Sequence, residues 1–236
     1  GLSVHGSHRV ATEKILFAMP ETGIGLFPDV GGGYFLPRCP GETGAYLGLV
    51  GARLKAADAL YVGAATHLVE SAGVEELIVA LAGADFGQNP HGAVNRVLAQ
   101  RQAAAGDPPL AAHRATIDRC FAGPSVEAIL AALKADGGEW AEATRATLLH
   151  KSPTSLKITL RQLRAGASMS LAEELRMEYR MTQACLLGTD LYEGVRAVVI
   201  DKDNKPQWQP RQLGDVGEDV VQRHFVVPKD GDLVLD

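Results

Sequence analysis

Apolar and polar positions change their rhythm near residue 70. Before it, short apolar runs of strand length alternate with turn residues: Arg9-Val-Ala-Thr, Ile15-Leu-Phe-Ala-Met and Thr66-His-Leu-Val. Pro20 stops the second run. Gly1 to Gly6 is small and apolar enough to close a helix, and residues 41–69 read as two short helices before their strand. Beyond residue 70 the spacing is helical, with segments at 74–82, 90–103, 110–121, 125–135, 139–150, 153–165 and 171–187. Gly and Pro separate them, most sharply at Gly106-Asp-Pro-Pro. No period recurs, so a solenoid is not predicted. The pattern predicts an α/β part over 1–70 followed by a mainly helical region over 71–236 that packs on it.

Two helices carry explicit punctuation. Ser152-Pro153 offers an N-cap followed by proline at the first helical position, and Gly166 can end that helix. Within it Leu156, Leu160 and Leu163 form one apolar stripe, with Lys157, Arg161 and Arg164 as a parallel basic one. Asp190-Leu-Tyr-Glu193 has the spacing of a capping box, with Asp190 accepting an orphan N–H and Glu193 reaching back.

Composition narrows the function classes. A chain of 236 residues, 46% hydrophobic, buries roughly 70% of its unfolded surface and needs no staples. Its three cysteines, Cys39, Cys120 and Cys185, are odd in number and widely spaced, which argues against a disulfide framework or a CxxC metal site. A net charge of −5 argues against nucleic acid as a partner. No apolar run approaches the ~20 residues of a membrane span. The opening Gly-Leu-Ser-Val-His-Gly lacks an initiator Met and any signal-peptide pattern, so the chain is expected to begin inside a longer protein. The Ala- and Gly-rich composition points to a cytoplasmic location.

The chemistry concentrates in the loop from Met19 to Gly33. Glu21 and Asp29 stand among Phe17, Met19, Ile24, Leu26 and Phe27, and a loop with so many large apolar groups is expected to pack. Packing would dehydrate the two acids, raise their pKa and suit them to proton transfer or nucleophilic attack. The same residues also read as an ordinary loop-end acid and a helix N-cap. Gly31-Gly32-Gly33 lets backbone N–H groups approach a ligand, although the spacing is not that of a dinucleotide fingerprint. His5 and His8 share a helical spacing with only Glu13 nearby, too few ligands for a metal. The basic stripe reads as a solvated face or a phosphate contact, Met177/Met181/Cys185 as core, and Cys39 as an incidental thiol.

The run Phe17-Ala-Met-Pro-Glu-Thr-Gly-Ile-Gly-Leu-Phe-Pro-Asp-Val-Gly-Gly-Gly-Tyr-Phe-Leu-Pro-Arg38 strongly resembles the crotonase superfamily, and within it the branch that hydrolyses 3-hydroxyisobutyryl-CoA. The resemblance continues through Thr66-His-Leu-Val, Ser152-Pro-Thr-Ser-Leu-Lys-Ile, Glu178-Tyr-Arg-Met-Thr-Gln-Ala-Cys185 and Gly194-Val-Arg-Ala-Val-Val-Ile, and is weakest over 85–125. It implies a crotonase-like α/β spiral of stacked βαβ turns, of which this chain is the C-terminal portion, ending in a helical region. It implies an acyl-CoA substrate, hydrolysis of its thioester in valine catabolism, self-association, and no metal or redox cofactor, CoA being part of the substrate. Glu21 matches the family's catalytic glutamate and Asp29 the acid facing it, with Gly25 and Phe27 also at the substrate. The family's two oxyanion donors fall upstream of Gly1, which implies a further N-terminal segment. Gly1 itself stands where hydratases place a second glutamate. Enoyl- or dienoyl-CoA isomerase or hydratase chemistry is the alternative, as is an inactive fragment that only binds a partner.

Overall fold

The computed structural model describes residues 3–235. Its helices are α1 (Gly32–Phe35), α2 (Thr43–Val50), α3 (Ala56–Tyr61), α4 (Val74–Ala82), α5 (Pro90–Ala99) and α6 (Arg114–Phe121). They continue with α7 (Val126–Asp136), α8 (Glu139–Leu149), α9 (Pro153–Gly166), α10 (Leu171–Leu187), α11 (Asp190–Val195) and α12 (Glu218–Arg223). Two compact units result: one joins the stretch ending at Phe17 to Arg53–His113, and the other joins Ala18–Ala52 to the residues from Arg114 onward.

The first unit contains a small parallel sheet. Strands β1 (Val10–Ala11) and β2 (His67–Leu68) pair Val10 with His67 and Ala11 with Leu68. Arg9 fixes the register: its N–H donates to Thr66 Oγ1 at 2.8 Å, and its guanidinium reaches the carbonyls of Gly63 and Ala64. The run at 15–19 forms no strand. Only Phe17 pairs, exchanging backbone bonds with Leu54, and Pro20 has no N–H to extend a ladder. Val69, Leu77 and Leu98 form the local core. Asn89 caps α5 with Pro90 at the first helical position. The helix expected to reach 103 stops at Ala99, because the Ala103 N–H turns aside to bond the Leu68 carbonyl.

The second unit is built around α2, whose eight residues are all buried. A helix apolar on every side belongs in a core. Tyr46 of α2 meets Phe121 edge-on at 5.5 Å. Helix α9 begins as its sequence announces: Ser152 Oγ accepts the Ser155 N–H at 3.0 Å and Pro153 opens the first turn. Its burial exceeds the leucine stripe and takes in Ile158, Thr159 and Gln162. Helix α10 starts with a capping box in which Ser170 accepts from Glu173 N and Glu173 accepts from Ser170 N, and it packs Met177, Met181 and Cys185 against Phe27 and Ile158.

The capping box expected at Asp190–Glu193 does not form. Thr189 precedes α11 without a side-chain bond. Asp190 is instead buried, accepting Ser152 Oγ–H at 2.6 Å and the Gln209 N–H at 2.9 Å. Glu193 pairs with Arg196. A fully charged partner and a buried hydroxyl outcompete the local backbone for these two acids.

Candidate active site

Glu21 opens a single 3-10 turn, Glu21–Ile24, pinned from two sides. Thr22 Oγ1 donates to the Leu49 carbonyl at the end of α2, and the Thr22 carbonyl accepts the N–H of Ser152 at the start of α9. Gly25 closes the turn in the left-handed region, φ 75°, where a Cβ would lie 2.2 Å from the Asp190 carbonyl. Only glycine combines that torsion with so close a crossing of α11. The Glu21 carboxyl is largely buried, and its Oε2 has no hydrogen-bond partner among the described residues. Dehydration, reinforced by the nearby Asp29 charge, raises its pKa to about 7.

Asp29 lies across the loop and is half-buried, which pushes its carboxyl up as well. The Asp29 charge acts on Glu21, whereas at Asp29 itself burial is the cause. Between them Phe27 is 0% exposed, locked among Ile158, Met177 and Met181. Gly25 lines a cavity of about 650 Å³ together with Ile158, Cys185, Asp190 and His224. The loop thus has a buried anchor at its centre and an acid at either end.

Sequence reasoning missed Lys151. It sits in the turn between α8 and α9, its ammonium 3.2 Å from where a Cβ at Gly23 would stand. Burial pulls its pKa down, and the Glu21 charge offsets part of that fall. No local pattern marks it, because it reaches the site only through folding of the second unit.

The other candidate groups are occupied elsewhere. Lys157 pairs with Glu127, Arg161 with Glu218 and Arg164 with Glu42, so the basic stripe is spent on internal ion pairs. His8 shares a hydrogen bond with Asn95 and packs near the rings of His67 and His91. Among the described residues no group of three or more His, Cys, Asp or Glu side chains is set to hold a metal ion. The three cysteines are buried thiols. No described helix is long and apolar enough to cross a membrane. Gly1, expected at the position of a second hydratase glutamate, lies outside the described residues.

A family model described as enoyl-CoA hydratase/isomerase matches residues 1–225. The mitochondrial 3-hydroxyisobutyryl-CoA hydrolase of Xenopus laevis is 51% identical over 239 residues, covering 100% of this chain and 62% of the relative. That of Homo sapiens is 48% identical over 234 residues, covering 95% of this chain and 59% of the relative. The chain therefore spans about three-fifths of the length of these curated relatives. Among solved structures, a carnitinyl-CoA dehydratase from Mycobacterium thermoresistibile superposes with a TM-score of 0.87 at 36% identity, over 98% of this chain and 64% of that one. An enoyl-CoA hydratase from Rhodobacter sphaeroides 2.4.1 gives 0.86 at 35% identity, over 99% of this chain and 66% of that one.

The expectation of a cytoplasmic location is overturned, since these hydrolase relatives are mitochondrial by name. Alanine and glycine content answers to helix formation and close packing, which a folded enzyme needs in any compartment, so composition was no guide to location. The mixed α/β fold, with its small open parallel sheet and large helical C-terminal region, is the crotonase-like one expected. By its matched length, its fold and its loop, the chain belongs to the enoyl-CoA hydratase/isomerase family of the crotonase superfamily.

Proposed function

We propose that the full-length protein hydrolyses the thioester of 3-hydroxyisobutyryl-CoA, or a closely related 3-hydroxyacyl-CoA, to the free acid and CoA, as a step of valine catabolism. The observation that carries the reading is Glu21: a dehydrated carboxyl with pKa near 7 and an unpartnered oxygen, opposite a second acid. A carboxylate raised in this way is a stronger base and nucleophile while still about half ionised at neutral pH. It either attacks the thioester carbonyl, forming an acyl-enzyme anhydride as the C–S bond breaks and CoA leaves as the thiolate, after which water cleaves the anhydride to release the acid and restore Glu21, or it takes a proton from the water that attacks. Asp29 hydrogen-bonds the substrate's 3-hydroxyl, so a thioester lacking it is penalised. Gly25 and Phe27 hold the loop against the substrate. Two backbone N–H donors stabilising the tetrahedral oxyanion are assigned to sequence upstream of position 1. Residues 1–70 then carry the last part of the spiral with its active-site loop, 71–236 form the helical region, and self-association is part of the same proposal.

The test is release of free CoA thiol from 3-hydroxyisobutyryl-CoA by the full-length protein. Glu21→Gln is expected to abolish release, and full activity in that variant overturns the assignment. Hydration or isomerisation of an unsaturated acyl-CoA is favoured by the names of the two similar structures, whose identities of 36% and 35% are lower than those of the hydrolase relatives. Loss of the double-bond absorbance without thiol release would establish it instead.

A further inference from the structure

A buried carboxyl pair has no part in the chemistry above. Glu174 and Glu178 stand one turn apart on α10, on the same face as Met177, Met181 and Cys185, and are 0% and 5% exposed. Burial, together with Glu174 beside it, pushes Glu178 up to about 9, and burial raises Glu174 too. Two dehydrated carboxyls one turn apart oppose each other's ionisation. Gln162 of α9 completes the cluster, with its Nε2 3.1 Å from Glu174 Oε1 and 3.2 Å from Glu178 Oε1.

This cluster grips the active-site loop on both sides of Asp29. Gln162 Nε2 donates to the carbonyl of Pro28, the residue before it, at 2.8 Å. The Gly31 N–H, two residues after it, donates to Glu178 Oε2 at 3.0 Å and Oε1 at 3.1 Å, and the Gly33 N–H reaches Oε1 at 3.4 Å. Between the grips the backbone is strained: Val30 has φ 52° and Gly31 φ 82°. A β-branched residue in the left-handed region costs about 1–3 kcal/mol and persists only where its surroundings enforce it. Val30 is 49% exposed, and across it the Gly32 N–H donates to the Asp29 carbonyl at 2.9 Å. The fit is close, since a Cβ at Gly33 would lie 2.1 Å from Glu174 Oε1.

We propose that Glu178, with Gln162 and Glu174, is a positioning site for Asp29: it holds the strained turn so that the Asp29 carboxylate meets the substrate's hydroxyl, and thereby sets the preference for 3-hydroxyacyl thioesters. The inference rests on the role proposed above for Asp29. It places specificity partly in α9 and α10, in side chains that never touch substrate.

The experiment compares kcat/KM of the full-length enzyme on 3-hydroxyisobutyryl-CoA and on isobutyryl-CoA, which lacks the hydroxyl. Asp29→Ala, which leaves no acceptor, is expected to cut the preference about 100-fold. Glu178→Leu is expected to cut it at least about tenfold while leaving the rate on isobutyryl-CoA within about threefold, and to add nothing to Asp29→Ala in the double variant. Glu178→Gln, which keeps an acceptor for the Gly31 N–H, restores most of the preference. An unchanged preference in Asp29→Ala overturns the reading of Asp29 and this inference with it. A preference lost in Asp29→Ala and kept in Glu178→Leu overturns the inference alone, as does an equal loss on both substrates. If Glu178→Leu does not fold, Gln162→Leu, which removes the Pro28 bond, takes its place with the same outcomes.

Discussion

Glu21 titrates where a cell works, and its folded-state pKa near 7 has two consequences of opposite sense. Both mechanisms need the carboxylate, so kcat/KM for thiol release is expected to rise with pH through about 7 and level off above it. Stability runs the other way. A carboxyl whose pKa is raised on folding favours the fold at low pH, and that contribution is lost as pH rises toward the folded value. Glu21→Gln is therefore expected to melt above the parent at pH 8, by on the order of 1–3 kcal/mol after partial solvent screening, and to lose that advantage by pH 5. Thermal melts of the two proteins at both pH values check this. Gly25→Ala meets both a left-handed torsion and the Asp190 carbonyl; a loss of about 2–4 kcal/mol is expected, with loss of activity, read from a denaturant midpoint and the thiol assay. Glu21 was legible in the sequence because apolar residues crowd it. Glu174 and Glu178 were less so, although they share a stripe with Met177, Met181 and Cys185 that was read as core. An acid on an apolar stripe was the signal that could have found them.

Among the helices, agreement was closest where the punctuation is local. Segments read at 74–82 and 171–187 match α4 and α10 end for end, and Ser152 and Pro153 start α9 as read. The reading failed at Asp190, whose side chain is claimed by Ser152 and Gln209, residues distant in sequence. Two caps that look alike on paper should therefore behave differently. Ser170→Ala removes an exposed cap bond and is expected to cost about 1 kcal/mol. Ser152→Ala removes a cap and also leaves the buried Asp190 short of a donor, so about 2–3 kcal/mol is expected. Chemical denaturation of the two variants side by side tests the difference, and equal losses would count against the Ser152–Asp190 bond.

At the scale of the molecule, several of the described cations hold internal acidic partners. Beyond the basic stripe of α9, Arg180 pairs with Asp232, and Arg196 with Glu193, Asp201 and Asp203. An acyl-CoA brings phosphates, and the α9 stripe is not free to meet them. Lys157→Ala and Arg161→Ala are expected to leave KM for the CoA substrate within about twofold, since exposed ion pairs of this kind matter little beyond modest stability. A rise in KM tenfold or more would show that the stripe binds phosphate after all. Net charge and composition could not say which cations were available, because pairing is decided by tertiary contacts such as Arg164–Glu42 and Lys157–Glu127.

The bond from Gly31 to Glu178 joins residues 147 positions apart. In a growing chain, the Asp29 turn is made early and its holder late. At typical synthesis rates of about 5–20 residues per second, the turn waits roughly 7–30 s for α10 to be made. Until then the Glu178 hold on the Gly31 N–H is missing, and the turn rests on local bonds such as that from the Gly32 N–H to the Asp29 carbonyl, and on Gln162 of α9 once that helix is made. Completion of α10 late in synthesis thus adds the last of these holds, and a chain released before it would carry the loop without the Glu178 contact.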